Sequence, residues 1–252
     1  MTNHIIQISD DALMEMSLAT LEAYVVPQRQ IGKLGSKGIK TELETYGLLW
    51  GHEVLLPDSD ILYSVRKLTV DSMAERRNSS VLPSEGLNVV KDLITSYWPQ
   101  YSFLGDFHSH PYEHYKDVEE IKGYEFSEGD RESMLQKKEN DDDFRISLVM
   151  TIASLKKASN SEPKFISENT INWTFNNYRF WLSACLVYRE YDEEKDELDE
   201  IVLLPNSSSW KKEYSSDDID DVYLHCPYLS SPWQITKFGK KAGKGDHQAG
   251  DI

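Results

Sequence analysis

Cysteine is scarce: Cys185 and Cys226 are the only two in 252 residues, and neither belongs to a CxxC pair. That excludes a disulfide framework. Cys185 lies in the apolar run Trp181-Leu182-Ser183-Ala184-Cys185-Leu186-Val187-Tyr188 and reads as a buried, reduced thiol. Long apolar runs are missing too, for no stretch approaches the roughly 18 residues of a membrane span. The first residues, Met1-Thr2-Asn3-His4-Ile5-Ile6, have neither a basic nor an apolar leader segment. A cytoplasmic protein is the expectation. Positive charge is in deficit, with 27 Lys and Arg against 43 Asp and Glu, a net charge of −16. Binding through nucleic-acid phosphates needs clustered cations, so it is not expected. Neither is a polybasic membrane surface. The acidic surplus fits an ordinary soluble protein or a basic protein partner.

Against these absences stand a hydrophobic fraction of 39% and fourteen tyrosines, enough for a packed core. Ser9-Asp10-Asp11 ahead of Ala12, Leu13, Met16, Leu18 and Leu21 predicts a capped amphipathic helix ending before Pro27. Residues 30–38 carry three glycines and read as a loop. Strands are predicted at Tyr46–Val54, Ile61–Val70, Phe103–His108 and Phe144–Ala153. Leu87, Val90, Leu93, Ile94 and Tyr97 keep helical spacing up to Pro99. Ser127 opens a short helix containing Met134 and Leu135. Later strands are expected near Asn172–Phe175, Phe180–Tyr188 and Glu200–Leu204. Helices and strands alternate without a strict βαβ rhythm. The expected class is α/β of the α+β type, a mixed, curled central sheet flanked by helices. There is no internal repeat, and the residues from Lys240 onward read as a polar, Gly-rich, disordered tail.

Chemistry concentrates in Gly105-Asp106-Phe107-His108-Ser109-His110-Pro111 and, downstream, Ser127-Glu128-Gly129-Asp130. On an extended segment His108 and His110 point to the same side. Two imidazoles so placed can grip one Zn²⁺, and a carboxylate from the next element makes three protein ligands with a fourth position open. Alone, the pair reads more readily as a strand-end surface pair than as a metal site. Alone, Ser127 and Asp130 are a helix cap with an acidic residue in the first turn. A third fragment, Glu44-Thr45-Tyr46-Gly47-Leu48-Leu49-Trp50-Gly51, changes their weight.

The string Glu-x-x-Gly-x-Leu-x-Gly, then Gly-x-Phe-His-Ser-His-Pro, then Ser-x-x-Asp resembles the signature of the JAMM (MPN⁺) metalloproteases, in the family's order. The resemblance covers roughly residues 5–155. It implies an MPN fold, similar to cytidine deaminases, as a catalytic domain over 1–205 with a C-terminal elaboration over 206–252. It implies zinc on His108, His110 and Asp130. Glu44 would be the general base and acid toward the zinc-bound water, and Ser127 a hydrogen-bond donor to the oxyanion. The implied reaction is hydrolysis of the amide after the C-terminus of ubiquitin or a ubiquitin-like protein. Bacterial standalone members add ubiquitin-like conjugation enzymes as partners. Two other readings carry the same residues differently: a non-catalytic MPN scaffold, and a zinc hydrolase of small peptide or amino-acid conjugates.

The sequence departs from the family in the interval between His110 and Ser127, which is longer than usual. Tyr112–Phe126 is acidic and aromatic, and reads either as a lid over the metal or as a solvated excursion. His114, four residues after His110, is a competing ligand. The acidic run at 139–143 reads as a solvated turn, and Trp210–Trp233 as packing or a partner surface.

Overall fold

Period-two runs of β-branched and aromatic residues set most of the architecture, which is α+β: one large mixed sheet flanked by helices. The computed structural model describes residues 2–31, 37–57, 59–138, 144–159, 161–192, 197–204 and 221–230. The chain opens with β1 (Asn3–Ile8), α1 (Asp10–Val25) and the strands β2 (Gln28–Ile31) and β3 (Lys37–Lys40). Next come β4 (Tyr46–Leu55), β5 (Ile61–Val70), β6 (Glu75–Arg76), β7 (Val81–Leu82) and α2 (Gly86–Tyr97). The strand β8 (Ser102–His114) leads into α3 (Tyr115–Ile121), α4 (Glu128–Lys138) and β9 (Phe144–Ser154). After these lie β10 (Lys164–Ser167), β11 (Thr170–Phe175), β12 (Tyr178–Asp192), β13 (Glu197–Leu204), β14 (Asp221–His225) and α5 (Pro227–Ser230).

The main sheet runs β10-β11-β12-β9-β8-β4-β5-β1-β14, and β13 extends the β11 edge of β12. Pairing is parallel for β1 with β5 and β14 and for β8 with β9, and antiparallel elsewhere in the sheet. Its two ends curl toward each other. The Leu224 amide of β14 donates to the Glu168 carbonyl beside β10 at 2.8 Å, and the His4 and Tyr188 rings lie 5.0 Å apart.

Inside the curl, α1 buries Ala12, Leu13, Met16, Ala19 and Tyr24 against Ile6, Phe107, Leu148 and Leu182. Ser9 caps it as expected, its hydroxyl accepting the Ala12 amide at 3.3 Å. The opposite face is covered in patches. Leu87 and Ile94 of α2 pack on Tyr46, Leu48 and Trp50, and Met134 of α4 packs on Val149 and Val187. The β4–β8 ladder skips Leu104. Beyond that bulge Phe107 faces the α1 core, while Asp106, His108 and His110 face the other side. Gly105 is required here, because its φ of +149° is one that side chains rarely adopt and a Cβ would overlap the Ile146 carbonyl.

The predicted strands and helices over 46–54, 61–70, 87–97 and 144–153 correspond to β4, β5, α2 and β9. The glycine-rich segment is flanked by a paired hairpin, β2 with β3, while 32–36 lie outside the described residues. The strand predicted at 103–108 runs on to His114. The interval after His110 continues β8, forms α3 and packs in part on the sheet, while its first residues, Pro111 and Tyr112, line the cleft of the histidines. Val118 packs on Ala153 and Trp181, Tyr124 stacks on Trp181, and Thr151 Oγ1 donates to the Gly123 carbonyl at 3.1 Å. Within Trp210–Trp233 the described part contributes β14, with Val222, Leu224, Cys226 and Leu229 buried in the main core. The acidic run at 139–143 and the segment from Lys240 lie outside the described residues. Both cysteines are buried and free. Among the described residues no helix is long and apolar enough to cross a membrane.

Candidate metal centre

Strand alternation puts the two imidazoles on one face of β8, with Ser109 between them turned to a structural task. The Ser109 hydroxyl accepts the Thr45 amide at 2.9 Å, and its own amide donates to the Thr45 carbonyl at 3.0 Å. These bonds carry the Tyr46–His108 register one step past the end of β4. Continued, that register sets Glu44 opposite His110. The Glu44 amide is fixed from the other side by the Arg77 carbonyl at 2.8 Å.

Asp130 arrives from α4 through a capping box. The Ser127 hydroxyl accepts the Asp130 amide at 3.2 Å, and Asp130 Oδ2 accepts the Ser127 amide at 2.8 Å and its hydroxyl at 2.6 Å. Phe126 anchors the turn, buried with Met134 and Val149 and edge-on to the His108 ring at 6.3 Å. The helix cap and the metal-site reading of Ser-x-x-Asp are therefore the same geometry. The cap aims the carboxylate at the histidines.

His108 Nε2 and His110 Nε2 are 3.1 Å apart. Asp130 Oδ1 lies 3.1 Å from the first and Oδ2 3.3 Å from the second. These separations lie at or just under the edge of a tetrahedron whose bonds are about 2.0–2.1 Å, roughly 3.3–3.4 Å, with each carboxylate oxygen facing one imidazole. Three Lewis-basic atoms converge, with His108 buried and the others half-buried, so the group fits a metal ion. Burial raises the Asp130 carboxyl, but hydrogen bonds and charge from His108 and His110 outweigh it and hold it well below the usual carboxylate range. His114 is exposed and sits by Glu113, outside the cluster.

Glu44 lines the same cleft, of about 590 Å³, without belonging to the three-residue cluster. Burial pushes its carboxyl up to about 7, with His110 lowering and Asp130 raising it. The cleft thus gathers all five residues singled out in the sequence: Glu44, His108, His110, Ser127 and Asp130.

Two supports were not read from the sequence. Asp106, two residues before His108 on the same face, is 2% exposed and takes Arg145 Nη2 at 2.7 Å, Ser147 Oγ at 2.6 Å and Tyr46 OH at 3.2 Å. It pins β4, β8 and β9 together beneath the histidines. Asp71 accepts the Ser84 amide at 2.7 Å and hydroxyl at 2.9 Å, fixing the 71–84 segment whose residues Asn78–Pro83 form the far wall. For Asp106 the signal was an acidic residue inside an apolar strand, which demands a buried partner. For Asp71 it was an acidic residue directly after a strand, an ordinary turn position.

The capping box makes a prediction. Ser127→Ala removes the hydroxyl that orients Asp130, and metal affinity is expected to fall about 10- to 100-fold with the fold intact. Competition with a chelating indicator dye measures it, and unchanged affinity would remove the positioning role.

No protein-family profile matches this sequence, and no curated protein does. Among solved structures, a Desulfitobacterium hafniense protein known from its solution structure is similar over 58% of this chain and 74% of its own, at 20% identity and TM-score 0.31. The Trichoplax adhaerens STIL N-terminal domain is similar over 74% of this chain and 43% of its own, at 8% identity and TM-score 0.32. At those scores neither informs fold or function.

Proposed function

We propose that the chain is a zinc-dependent isopeptidase of the JAMM type, with an MPN fold, that cleaves the amide after the C-terminus of ubiquitin or a ubiquitin-like protein. The observation that carries this reading is the convergence of His108 Nε2, His110 Nε2 and the Asp130 carboxylate in one cleft beside buried Glu44. The residues within the three sequence fragments, and the order of the fragments, supply the reaction class. His108, His110 and Asp130 would hold the zinc. A zinc ion with three protein ligands supplies Lewis acidity toward a carbonyl and makes water acidic near neutral pH.

The protein's own groups perform the proton handling and positioning. Glu44, with a carboxyl pushed up to about 7, accepts a proton in the cleft and returns it to the departing amine. It stands outside the ligand cluster, which leaves its oxygens available for that exchange. Ser127 spends its hydroxyl hydrogen on Asp130 Oδ2, so its first task is to hold the ligand. Donation to an oxyanion requires that hydroxyl to turn. Asn78–Pro83, Pro111 and Tyr112 line the same cleft, and an extended polypeptide would bind along them. Substrate and conjugation-enzyme partners in the cytoplasm belong to this same proposal.

A panel of ubiquitin-like proteins joined by isopeptide and linear bonds tests it. Cleavage should occur on at least one member, vanish with a chelator and return with zinc. Cleavage that a chelator leaves untouched, or none across the panel by zinc-loaded protein, would contradict the proposal.

A further inference from the structure

Gly123 has no conformational reason to be a glycine. Among the described residues Gly105 is the glycine with a positive φ, so the backbone at 123 is one that alanine adopts. It is also fixed on both sides: the Gly123 amide donates to the Val118 carbonyl at 2.8 Å, and its carbonyl accepts Thr151 Oγ1 at 3.1 Å. Space is the constraint. A Cβ here would lie 2.5 Å from the hydroxyl oxygen of Tyr112 and 2.6 Å from the ring carbon that bears it. The glycine is a notch that receives one phenol ring.

That ring belongs to the cleft of the metal centre. Tyr112 stands two residues beyond His110 on β8, opposite Ala153 of β9, and lines the cleft together with Glu44 and both histidines. Backbone and ring are both held. The Tyr112 carbonyl accepts the Tyr24 hydroxyl of α1 at 2.8 Å, and the ring packs beside Tyr115 and Tyr124 against the cluster of Val118, Ala153 and Trp181. Most of these contacts come from the interval between His110 and Ser127, the part that departs from the JAMM pattern. An aromatic side chain at a bare strand end can swing away from an incoming substrate. This one has its far end seated against Gly123, and a packed cluster behind it.

We infer that Tyr112 sets the size limit for the substrate residue beside the cleaved amide, and that the segment 115–124 is the buttress that holds it there. The inference rests on the proposed isopeptidase reaction and adds its selectivity. A fixed aromatic wall in the cleft of Glu44 and His110 admits a glycine and meets the Cβ of any larger residue. The substrate class is therefore a chain with glycine at the last one or two positions before the bond. Refusal of one methyl group by a rigid wall is worth about 10- to 200-fold in kcat/KM.

The test uses the zinc-loaded full chain and fusions of a ubiquitin-like protein ending in Gly-Gly, Ala-Gly or Gly-Ala before the bond. Wild type should prefer Gly-Gly over at least one alanine form by about 10- to 200-fold, and Tyr112→Ala should shrink that preference to about threefold or less. Tyr112→Phe keeps the ring and should keep the preference. Gly123 is buried and outside the lining of the cleft, so Gly123→Ala should act through the ring alone. It should lower kcat/KM for Gly-Gly by about tenfold or more in the wild type, and by less than about twofold when added to Tyr112→Ala. Metal content should stay at about one ion per chain throughout, since Tyr112 is outside the ligand cluster. An unchanged preference in Tyr112→Ala, or a Gly123→Ala effect that persists in the double variant, would overturn the inference and leave the reaction standing. Failure of the wild type to cleave any fusion would overturn the reaction and this inference with it.

Discussion

Glu44→Gln is expected to keep about one metal ion per chain and to lose isopeptide cleavage by about 10²- to 10⁴-fold. Glutamine preserves the shape of a side chain that is only 7% exposed and sits where the β4–β8 register ends. The backbone amide at this position still reaches the Arg77 carbonyl, so the strand entry should not move. What disappears is a group that can take up and release a proton. The three clustered donors do not include Glu44, which is why metal content should survive. Cleavage and metal content measured on one preparation separate the outcomes. Wild-type cleavage rates in Glu44→Gln would end its role as proton carrier while leaving the metal site standing.

Asp130→Asn and His108→Ala should instead lose both metal and activity. Removing one of three protein ligands is expected to weaken binding by more than about 100-fold, beyond the range for outer positions such as Ser127. In Asp130→Asn the side-chain amide keeps an oxygen for the Ser127 amide, so α4 remains capped while the negative charge facing two imidazoles is gone. His108→Ala also opens space against Phe126, so circular dichroism must accompany it. Elemental analysis of dialysed protein reads the result. Full metal occupancy in either folded variant would move the site elsewhere.

How much of this was legible in the sequence follows from which forces are local. The strands β4, β5 and β9 show their alternation or apolar runs directly, and α1 and α4 announce themselves by caps at Ser9 and Ser127. The facing of His108 and His110 needs only the pleat of a strand. Other features depend on partners far along the chain. β14 is five residues that become a strand by parallel pairing with β1, more than 200 residues away. β10 is exposed throughout and carries little periodic signal. The stretch after His110 is rich in charge, yet Val118 and Tyr124 find Trp181 and make it a packed wall. Asp106 stood inside the motif, but Arg145 and Ser147 that satisfy it lie on the neighbouring strand. A pairing across a sheet leaves no trace in local spacing.

The central claim is that His108, His110 and Asp130 form one metal centre, and cobalt titration tests it most directly. Chelator-stripped protein should bind one Co²⁺ saturably, with the intense visible absorption of a near-tetrahedral site, and zinc should displace it. Asp130→Asn should show neither. Absence of saturable binding by the folded wild type, or an identical spectrum from Asp130→Asn, would contradict the account.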